Sequence, residues 1–166
     1  LEAGGHDRNP WIHIPAGFYK MLFDPALHWI METEPVPGLN GRQIFWPHGK
    51  VLGGTSSING LLYIRGQRED FDSWRQKGNF GWSFDDILPY FKKSEDQERG
   101  ASDYHGVGGP LTVSDCRDNH LLHDALIEAA QEAGFPANSD FNGPTQEGVG
   151  RYQVTVRGLS LVHISA

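Results

Sequence analysis

A glycine-rich segment from Gly49 to Gly60 is the part of the sequence best suited to bind a charged ligand. It combines the pair Gly53–Gly54 with three consecutive hydroxyl side chains at positions 55–57. Glycines let the main chain approach a ligand closely, and successive N–H groups can then donate to phosphate oxygens. The segment lacks the Gly-Lys-Ser/Thr ending of a P-loop, so a phosphate contact here would be of another kind. On the local pattern alone, a structural turn with capping serines is favoured.

A second candidate is Glu2, which precedes Gly4–Gly5 at the end of an expected strand. An acid at that place in a dinucleotide-binding βαβ unit holds the hydroxyls of an adenosine ribose. The glycine fingerprint of such a unit would lie about 20 residues upstream, before Leu1. Taken alone, Glu2 is typical of an ordinary surface acid.

The histidine pair and the lone cysteine do not indicate a catalytic or metal site. His120 and His123 could share a helix face beside Asp124. A zinc site needs a third and a fourth ligand, and the sequence offers no obvious ones, so the pattern favours a solvated helix start. Cys116 has no paired base in the sequence and is expected to be inert.

Two further charged regions are interpreted as structural or solvated. His105 lies between Tyr104 and Gly106, where it is predicted to belong to a turn. The acidic groups within residues 69–72 and 95–98 are predicted to be solvated faces.

The composition excludes several classes of protein. The 166 residues carry 14 basic and 21 acidic side chains, a formal net charge of −7, without the clustered cations that nucleic-acid binding requires. Hydrophobic residues at 38% and aromatic residues at 11% support a folded interior and argue against disorder. No apolar run is long enough for a transmembrane segment, and one cysteine cannot form an internal disulfide.

Two helices are predicted directly after the glycine-rich segment. Apolar spacing favours a helix over residues 68–77 that buries Phe71 and Trp74. The next helix begins with a capping-box pattern at Ser83. We expect a distortion at Pro89, because a proline beyond the first turn removes a backbone hydrogen bond.

A third helix is predicted from Asn119, as the capping residue, to Ala133, with Gly134 ending it. Short strands are predicted at residues 43–46 and 111–113, and a half-buried strand at 152–156. Helices and strands are thus mixed without an internal repeat. The residues expected to face the core from the third helix are Leu122, Ala125, Leu126, Ala129 and Ala130, and those from the last strand are Tyr152, Val154 and Val156.

The run GKVLGGTSSINGLLYIRGQREDFD, residues 49–72, resembles the first signature of the glucose–methanol–choline (GMC) oxidoreductase family. The likeness extends from Leu1 to about Arg157 and includes LEAGG, DDILPYFKKSED, YHGVGGPLTVSD and FNGPTQEGVGRYQVT. It points to the choline dehydrogenase-like branch of the family.

The resemblance implies an α/β flavoprotein with a Rossmann-like FAD-binding domain and a substrate domain built on an antiparallel sheet. It also implies oxidation of an alcohol CH–OH group by hydride transfer to flavin N5, with a quinone-type acceptor or oxygen taking the electrons. Some relatives bind FAD covalently through a histidine where this sequence has Ile58, so non-covalent FAD is expected. The predicted cofactor-binding residues are Glu2, Val51, Gly53, Gly54, Thr55, Asn59, Gly60, Leu61 and Leu62.

The resemblance assigns only part of such an enzyme to this sequence. Residues 1–75 correspond to an FAD-binding domain without its first βαβ unit, and residues 76–166 to a helical segment and the start of the substrate domain. The family's catalytic histidine comes downstream of residue 166, so no catalytic or metal-binding residue is predicted here. His163 lies in a tail, residues 158–166, that departs from the family pattern.

The chain begins with Leu1 and has its first methionine at Met21, so a missing N-terminus and a fragment inactive by itself are expected. The expected location is the cytoplasm or the periphery of the inner membrane. A hypothesis of another class stays open: a non-catalytic remnant of a flavin domain that acts as an interaction module. A glycine fingerprint upstream and a histidine-containing segment downstream in the gene would distinguish the enzyme from the remnant.

Overall fold

The computed structural model describes residues 1–117, 120–157 and 160–161. Its contacts form two compact units. Among the described residues, the first contains 1–61, 156–157 and 160–161, and the second contains those between 62 and 155. The predicted division of the protein into an FAD-binding part and a substrate part near residue 75 stays a prediction.

The first part of unit one is built from short helical turns, because its closely spaced prolines prevent longer elements. Proline occupies the first helical position in each of three 3-10 turns, where its missing N–H is not needed. These turns are Pro10–Ile12, Pro15–Gly17 and Pro37–Leu39, and the helix α1 is Phe18–Met21.

A narrow antiparallel hairpin leads into the glycine-rich segment. Strand β1, His28–Trp29, pairs with β2, His48–Gly49, and an isolated bridge joins Glu32 to Phe45. The strand predicted at 43–46 is therefore reduced to this one bridge. The side chains that form the core of unit one are Ile12, Met21, Leu27, Val51 and Ile58, all less than 9% exposed.

Unit two contains the first two predicted helices. The helix α2, Arg68–Gln76, begins with a capping box between Gln67 and Asp70. Phe71 is half-buried and its ring packs 5.3 Å from that of Trp74, which is still 45% exposed. The helix is confirmed, but the prediction that it buries Trp74 is wrong.

The helix α3, Phe84–Ser94, begins where its local signal predicts. Ser83 accepts a hydrogen bond from the N–H of Asp86, whose carboxylate accepts the N–H of Ser83 in return. The helix continues through Pro89. The predicted capping box is confirmed.

The helix α4, Leu121–Glu132, differs from the prediction in its cap and in its buried face. His120 is the capping residue, its Nδ1 accepting the N–H of Leu122 at 3.2 Å, while Asn119 lies outside the described residues. The prediction that Leu122 and Leu126 face the core is wrong, since they are 70% and 68% exposed. None of the helices in the described ranges is long and apolar enough to span a membrane.

A four-stranded sheet organises unit two. Its order is β3-β6-β5-β4, antiparallel except for the parallel pair β4–β5. The predicted strand at 111–113 is confirmed and extends to Asp115. The strands are β3, Leu62–Tyr63; β4, Glu95–Gln97; β5, Leu111–Asp115; and β6, Gln153–Val154.

The predicted strand at 152–156 is divided, and its most buried side chain is the polar Gln153. Gln153 is 5% exposed, whereas Tyr152 is 40% exposed. The reason is that the Gln153 amide hydrogen-bonds Gln97 inside the unit. After a bend at Thr155, β7, Val156–Arg157, pairs with β8, Ser160–Leu161, in unit one.

Candidate functional site

The glycine-rich loop lies against the first residues of the protein. Val51 forms a parallel bridge with Gly5, and the N–H of Leu52 donates to the Gly5 carbonyl at 2.8 Å. A Cβ atom on Gly4 would collide with the backbone oxygen of Lys50. The LEAGG segment and the loop can therefore pack closely only because residue 4 has no side chain.

The turn at the centre of the loop depends on two glycines with positive φ. Gly53 has φ 92° and Gly54 has φ 58°, conformations that L side chains rarely adopt. The N–H of Gly54 donates to the Val51 carbonyl at 2.7 Å, and a 3-10 turn follows at Gly54–Ser57. A Cβ atom on Gly54 would meet nothing within 4 Å, so the backbone there is open to a ligand.

Three hydroxyl groups stabilise the turn by hydrogen bonds to its backbone. Ser56 donates to the Gly53 carbonyl at 2.6 Å, and Ser57, which is buried, donates to the Leu52 carbonyl at 2.9 Å. Thr55 Oγ1 accepts the N–H of Gly49 at 3.1 Å. A hydroxyl that accepts one bond can still donate its own proton, so Thr55 retains a donor for a ligand.

At the end of the loop, the buried Ile58 is followed by the exposed, polar Asn59. Ile58 is 4% exposed and belongs to the core of unit one. Asn59 is exposed, and its Oδ1 accepts the N–H of Leu61 at 2.9 Å, while Leu61 itself has φ 68°. Leu62 begins unit two as part of β3, and its side chain is 60% exposed.

Glu2 is held in a local turn. Its Oε1 accepts the N–H of Gly4 at 2.7 Å, and the residue is exposed. A carboxylate offers more than one acceptor site, so Glu2 can also accept a ligand hydroxyl. Within unit one, the fold thus brings together the LEAGG segment, the Gly53–Gly54 turn and Thr55.

A buried histidine that sequence reasoning did not single out pairs with the first glycine of the loop. His28 is opposite Gly49 in the hairpin and is 4% exposed. Its Nδ1 has no hydrogen-bond partner among the described residues. Burial lowers the pKa of His28, against the opposing effect of Asp24, so its imidazole is neutral near pH 7.

A buried cluster of charged side chains is the main polar feature of unit two. Arg65 donates from Nη2 to Glu95 Oε2 at 2.9 Å, and their side chains are 3% and 0% exposed. His105 bridges two acids, with Nδ1 3.0 Å from Glu95 Oε1 and Nε2 2.8 Å from Asp140 Oδ2. The N–H of Gly106 also donates to Glu95. The prediction that Glu95 is solvated is wrong, because these donors compensate its burial.

The cluster favours the ionised forms of its members. Hydrogen bonds to Asp140 and to Glu95 raise the pKa of His105 to about 9. Burial opposes ionisation of Glu95, yet bonds from His105 and Gly106 and the charge of Arg65 together lower its pKa. The result is two cations facing two carboxylates, so the cluster connects Arg65, Glu95 of β4, His105 and Asp140 without net charge.

We expect the cluster to make stability fall at alkaline pH. The folded pKa of His105 lies above its ordinary value of 6.5, so its protonation stabilises the fold fully below about pH 6.5 and the effect is lost as the pH rises through about 9. Denaturant titrations of the whole protein between these pH values should show this decline, and His105→Gln should flatten it. His123→Gln is the matched control, because His123 is exposed. An unchanged slope in His105→Gln would contradict the assignment.

The other candidates do not converge on a site. The rings of His120 and His123 are 5.9 Å apart, and no group of three possible metal ligands occurs within the described ranges. Cys116 is an exposed free thiol.

The GMC oxidoreductase family profile matches residues 15–159. The chain therefore belongs to the GMC oxidoreductase family. It is 45% identical over 163 residues to the mitochondrial choline dehydrogenase of Mus musculus, covering 94% of this chain and 27% of that protein. It is 47% identical over 156 residues to the alcohol dehydrogenase (acceptor) of Pseudomonas putida, covering 93% and 28%. The chain thus spans little more than a quarter of the length of these relatives.

Solved structures show the same fold. The crystal structure of pyridoxine 4-oxidase from Mesorbium loti matches with a TM-score of 0.90 and 31% identity, covering 98% of this chain and 32% of that one. An FAD-dependent oxidoreductase from Chaetomium thermophilum matches with a TM-score of 0.84 and 30% identity, covering 98% and 30%. The predicted family and the predicted mixed α/β fold are confirmed.

Proposed function

We propose that the protein to which these residues belong is an FAD-dependent oxidoreductase that oxidises the CH–OH group of an alcohol. Family membership supports the class of reaction. The observation that carries the cofactor assignment is the Gly53–Gly54 turn, in which both residues have positive φ and the backbone surface at Gly54 is open. Such a surface suits the pyrophosphate of a dinucleotide, which needs N–H donors at close range.

Each proposed contact has a physical basis in the loop. The amides of Gly53 and Thr55 would donate to phosphate oxygens, and the Thr55 hydroxyl would add a donor. Glu2 would accept from the ribose hydroxyls, a charge-assisted bond. Val51 is fully buried, so we assign it the role of positioning the loop through its backbone. Asn59, Gly60, Leu61 and Leu62 complete the proposed set on the flavin side.

When bound, FAD supplies the hydride acceptor at flavin N5 for the carbinol hydrogen of the alcohol. The residues described here would hold and orient the cofactor. None of them is proposed as the base that removes the hydroxyl proton.

We predict that FAD is held non-covalently. The position used for covalent attachment in some relatives is Ile58, whose alkyl group is unable to form that bond and lies in the hydrophobic core. Acid precipitation of the whole protein should release flavin into the supernatant, where its absorbance measures it. Yellow colour retained in the pellet would instead show a covalent bond to another residue.

The proposed substrate is a small alcohol, choline or another primary alcohol, and the proposed electron acceptor is a quinone-type molecule. The names of two relatives, a choline dehydrogenase and an alcohol dehydrogenase (acceptor), support an alcohol substrate and a dehydrogenase, and the quinone is our choice of acceptor. Steady-state turnover of the whole enzyme with a quinone dye should exceed its turnover with dissolved oxygen. Fast peroxide production would overturn the choice of acceptor, and no turnover with any alcohol would overturn the function.

A further inference from the structure

We propose that Asn59–Gly60 is a site of spontaneous deamidation that bound FAD suppresses. The inference rests on the proposed function, because Asn59 and Gly60 belong to the proposed cofactor loop. The sequence contains three Asn–Gly pairs, beginning at Asn40, Asn59 and Asn142. Their surroundings in the fold differ in ways that select the second.

The reaction uses only groups of the protein and water. The backbone nitrogen of Gly60 attacks Cγ of Asn59, and a new bond between these two atoms closes a succinimide ring. The bond from Cγ to Nδ2 breaks, and the NH2 group leaves as ammonia with the proton that the Gly60 nitrogen loses. Water then opens the ring at either carbonyl and leaves aspartate or isoaspartate at position 59. A glycine in the second position favours the attack, because no side chain hinders its nitrogen.

The geometry at Asn59 leaves both reacting groups accessible. Asn59 and Gly60 are exposed, and a Cβ atom on Gly60 would meet nothing within 4 Å. In the described part of the protein the N–H of Gly60 has no hydrogen-bond partner. The hydrogen bond from the N–H of Leu61 to Asn59 Oδ1 closes a turn around the Asn59–Gly60 peptide. This hydrogen bond also polarises the side-chain carbonyl of Asn59, which is the group attacked.

The other two pairs are protected. The N–H of Gly41 donates to the Val36 carbonyl at 3.1 Å. The nitrogen that would attack Asn40 in the first pair is therefore already hydrogen-bonded. Asn142 is 6% exposed, and its Oδ1 accepts the N–H of Arg65 at 2.7 Å. They therefore serve as internal controls in the same molecule.

The product would damage the cofactor site. Isoaspartate inserts an extra carbon into the backbone of a loop whose turn depends on its backbone angles. Either product adds a negative charge to the proposed binding site of a cofactor that is itself negatively charged, and like charges repel. Loss of FAD would thus become irreversible with time, since the altered loop could not hold the cofactor again.

The test compares the whole protein, stripped of flavin or saturated with FAD, during incubation at mildly alkaline pH. Peptide mass spectrometry with detection of isoaspartate should show conversion at Asn59 in the stripped protein, little conversion with FAD, and intact Asn40 and Asn142. The capacity to rebind FAD should fall in proportion to the converted fraction. In Gly60→Ala, which the open space at that residue accommodates, the isoaspartate at position 59 should be lost.

Intact Asn59 in the stripped protein, or faster conversion of Asn40, would overturn the inference. Flavin fluorescence on the same samples separates the two proposals. Equal conversion with FAD demonstrably bound overturns the inference alone, whereas absence of any FAD binding overturns the proposed function as well.

Discussion

Replacing Glu95 with alanine is expected to cost the whole protein about 3–5 kcal/mol of unfolding free energy, the usual effect of removing one partner from a buried ion pair. The substitution leaves the Arg65 guanidinium, whose side chain is 3% exposed, without its carboxylate. It also removes the acceptor of His105 Nδ1 and of the Gly106 N–H. Since domains are stable by only about 5–15 kcal/mol, much of this margin would be lost. Chemical denaturation monitored by tryptophan fluorescence measures the change.

Glu128→Ala is the matched control, because Glu128 lies exposed on α4 and its loss should change stability by no more than about 0.5 kcal/mol. Glu95→Gln should fall between the two, since the amide retains an acceptor oxygen but loses the charge that faces Arg65 and His105. An effect of Glu95→Ala as small as that of the control would refute the role of the cluster.

Gly54→Val is expected to weaken FAD retention about 5–30-fold, since a non-glycine residue at positive φ costs roughly 1–2 kcal/mol and 1.4 kcal/mol corresponds to a factor of ten. The native φ is 58°, and a β-branched side chain would also fill the space through which the ligand approaches the backbone. The measurement is the flavin-to-protein ratio after purification, followed by fluorescence titration of the stripped protein with FAD.

Gly38→Val provides the control for a glycine replaced elsewhere in unit one. Gly38 lies in the turn Pro37–Leu39 without a positive φ, and a Cβ atom there would meet nothing within 4 Å. FAD binding should be unchanged in this variant. Equal affinity in Gly54→Val and Gly38→Val would contradict the proposed contact surface.

The features that could be predicted from the sequence are those determined by neighbouring residues. The Ser83 capping box depends on residues three apart, and Gly53–Gly54 forms a turn because both residues tolerate positive φ. The α4 helix was predictable for the same reason, apart from its cap, where the histidine His120 takes the place expected of Asn119.

The buried cluster could not be predicted, because its members are far apart in the sequence. Arg65 and Glu95 are separated by 30 residues, and His105 and Asp140 by 35. Glu95 also stands beside Asp96 in a sequence that is typical of a solvated face. Only the parallel pairing of β4 with β5 turns its side chain inward. The one signal in the sequence was His105, a histidine in a glycine-rich turn. Its presence there does not identify the acids that it binds.

The prediction of which side chains are buried failed for a related reason. The spacing of Leu122 and Leu126 identifies an apolar face of α4, but it does not determine what covers that face. In β6, polar and apolar residues alternate as predicted, yet the polar Gln153 turns inward because Gln97 and Asp115 accept its amide protons. Long-range hydrogen bonds, invisible in the local pattern, decide the direction of this strand.

The central claim, that the loop of residues 49–62 holds FAD, is tested most directly by hydrogen–deuterium exchange of the whole protein before and after FAD is added. Bound cofactor should slow amide exchange in peptides covering residues 53–62 and the LEAGG segment, because their N–H groups then donate to the ligand or lie beneath it. Exchange in α4, Leu121–Glu132, should stay unchanged. FAD binding with unaltered exchange across residues 49–62 would contradict the account.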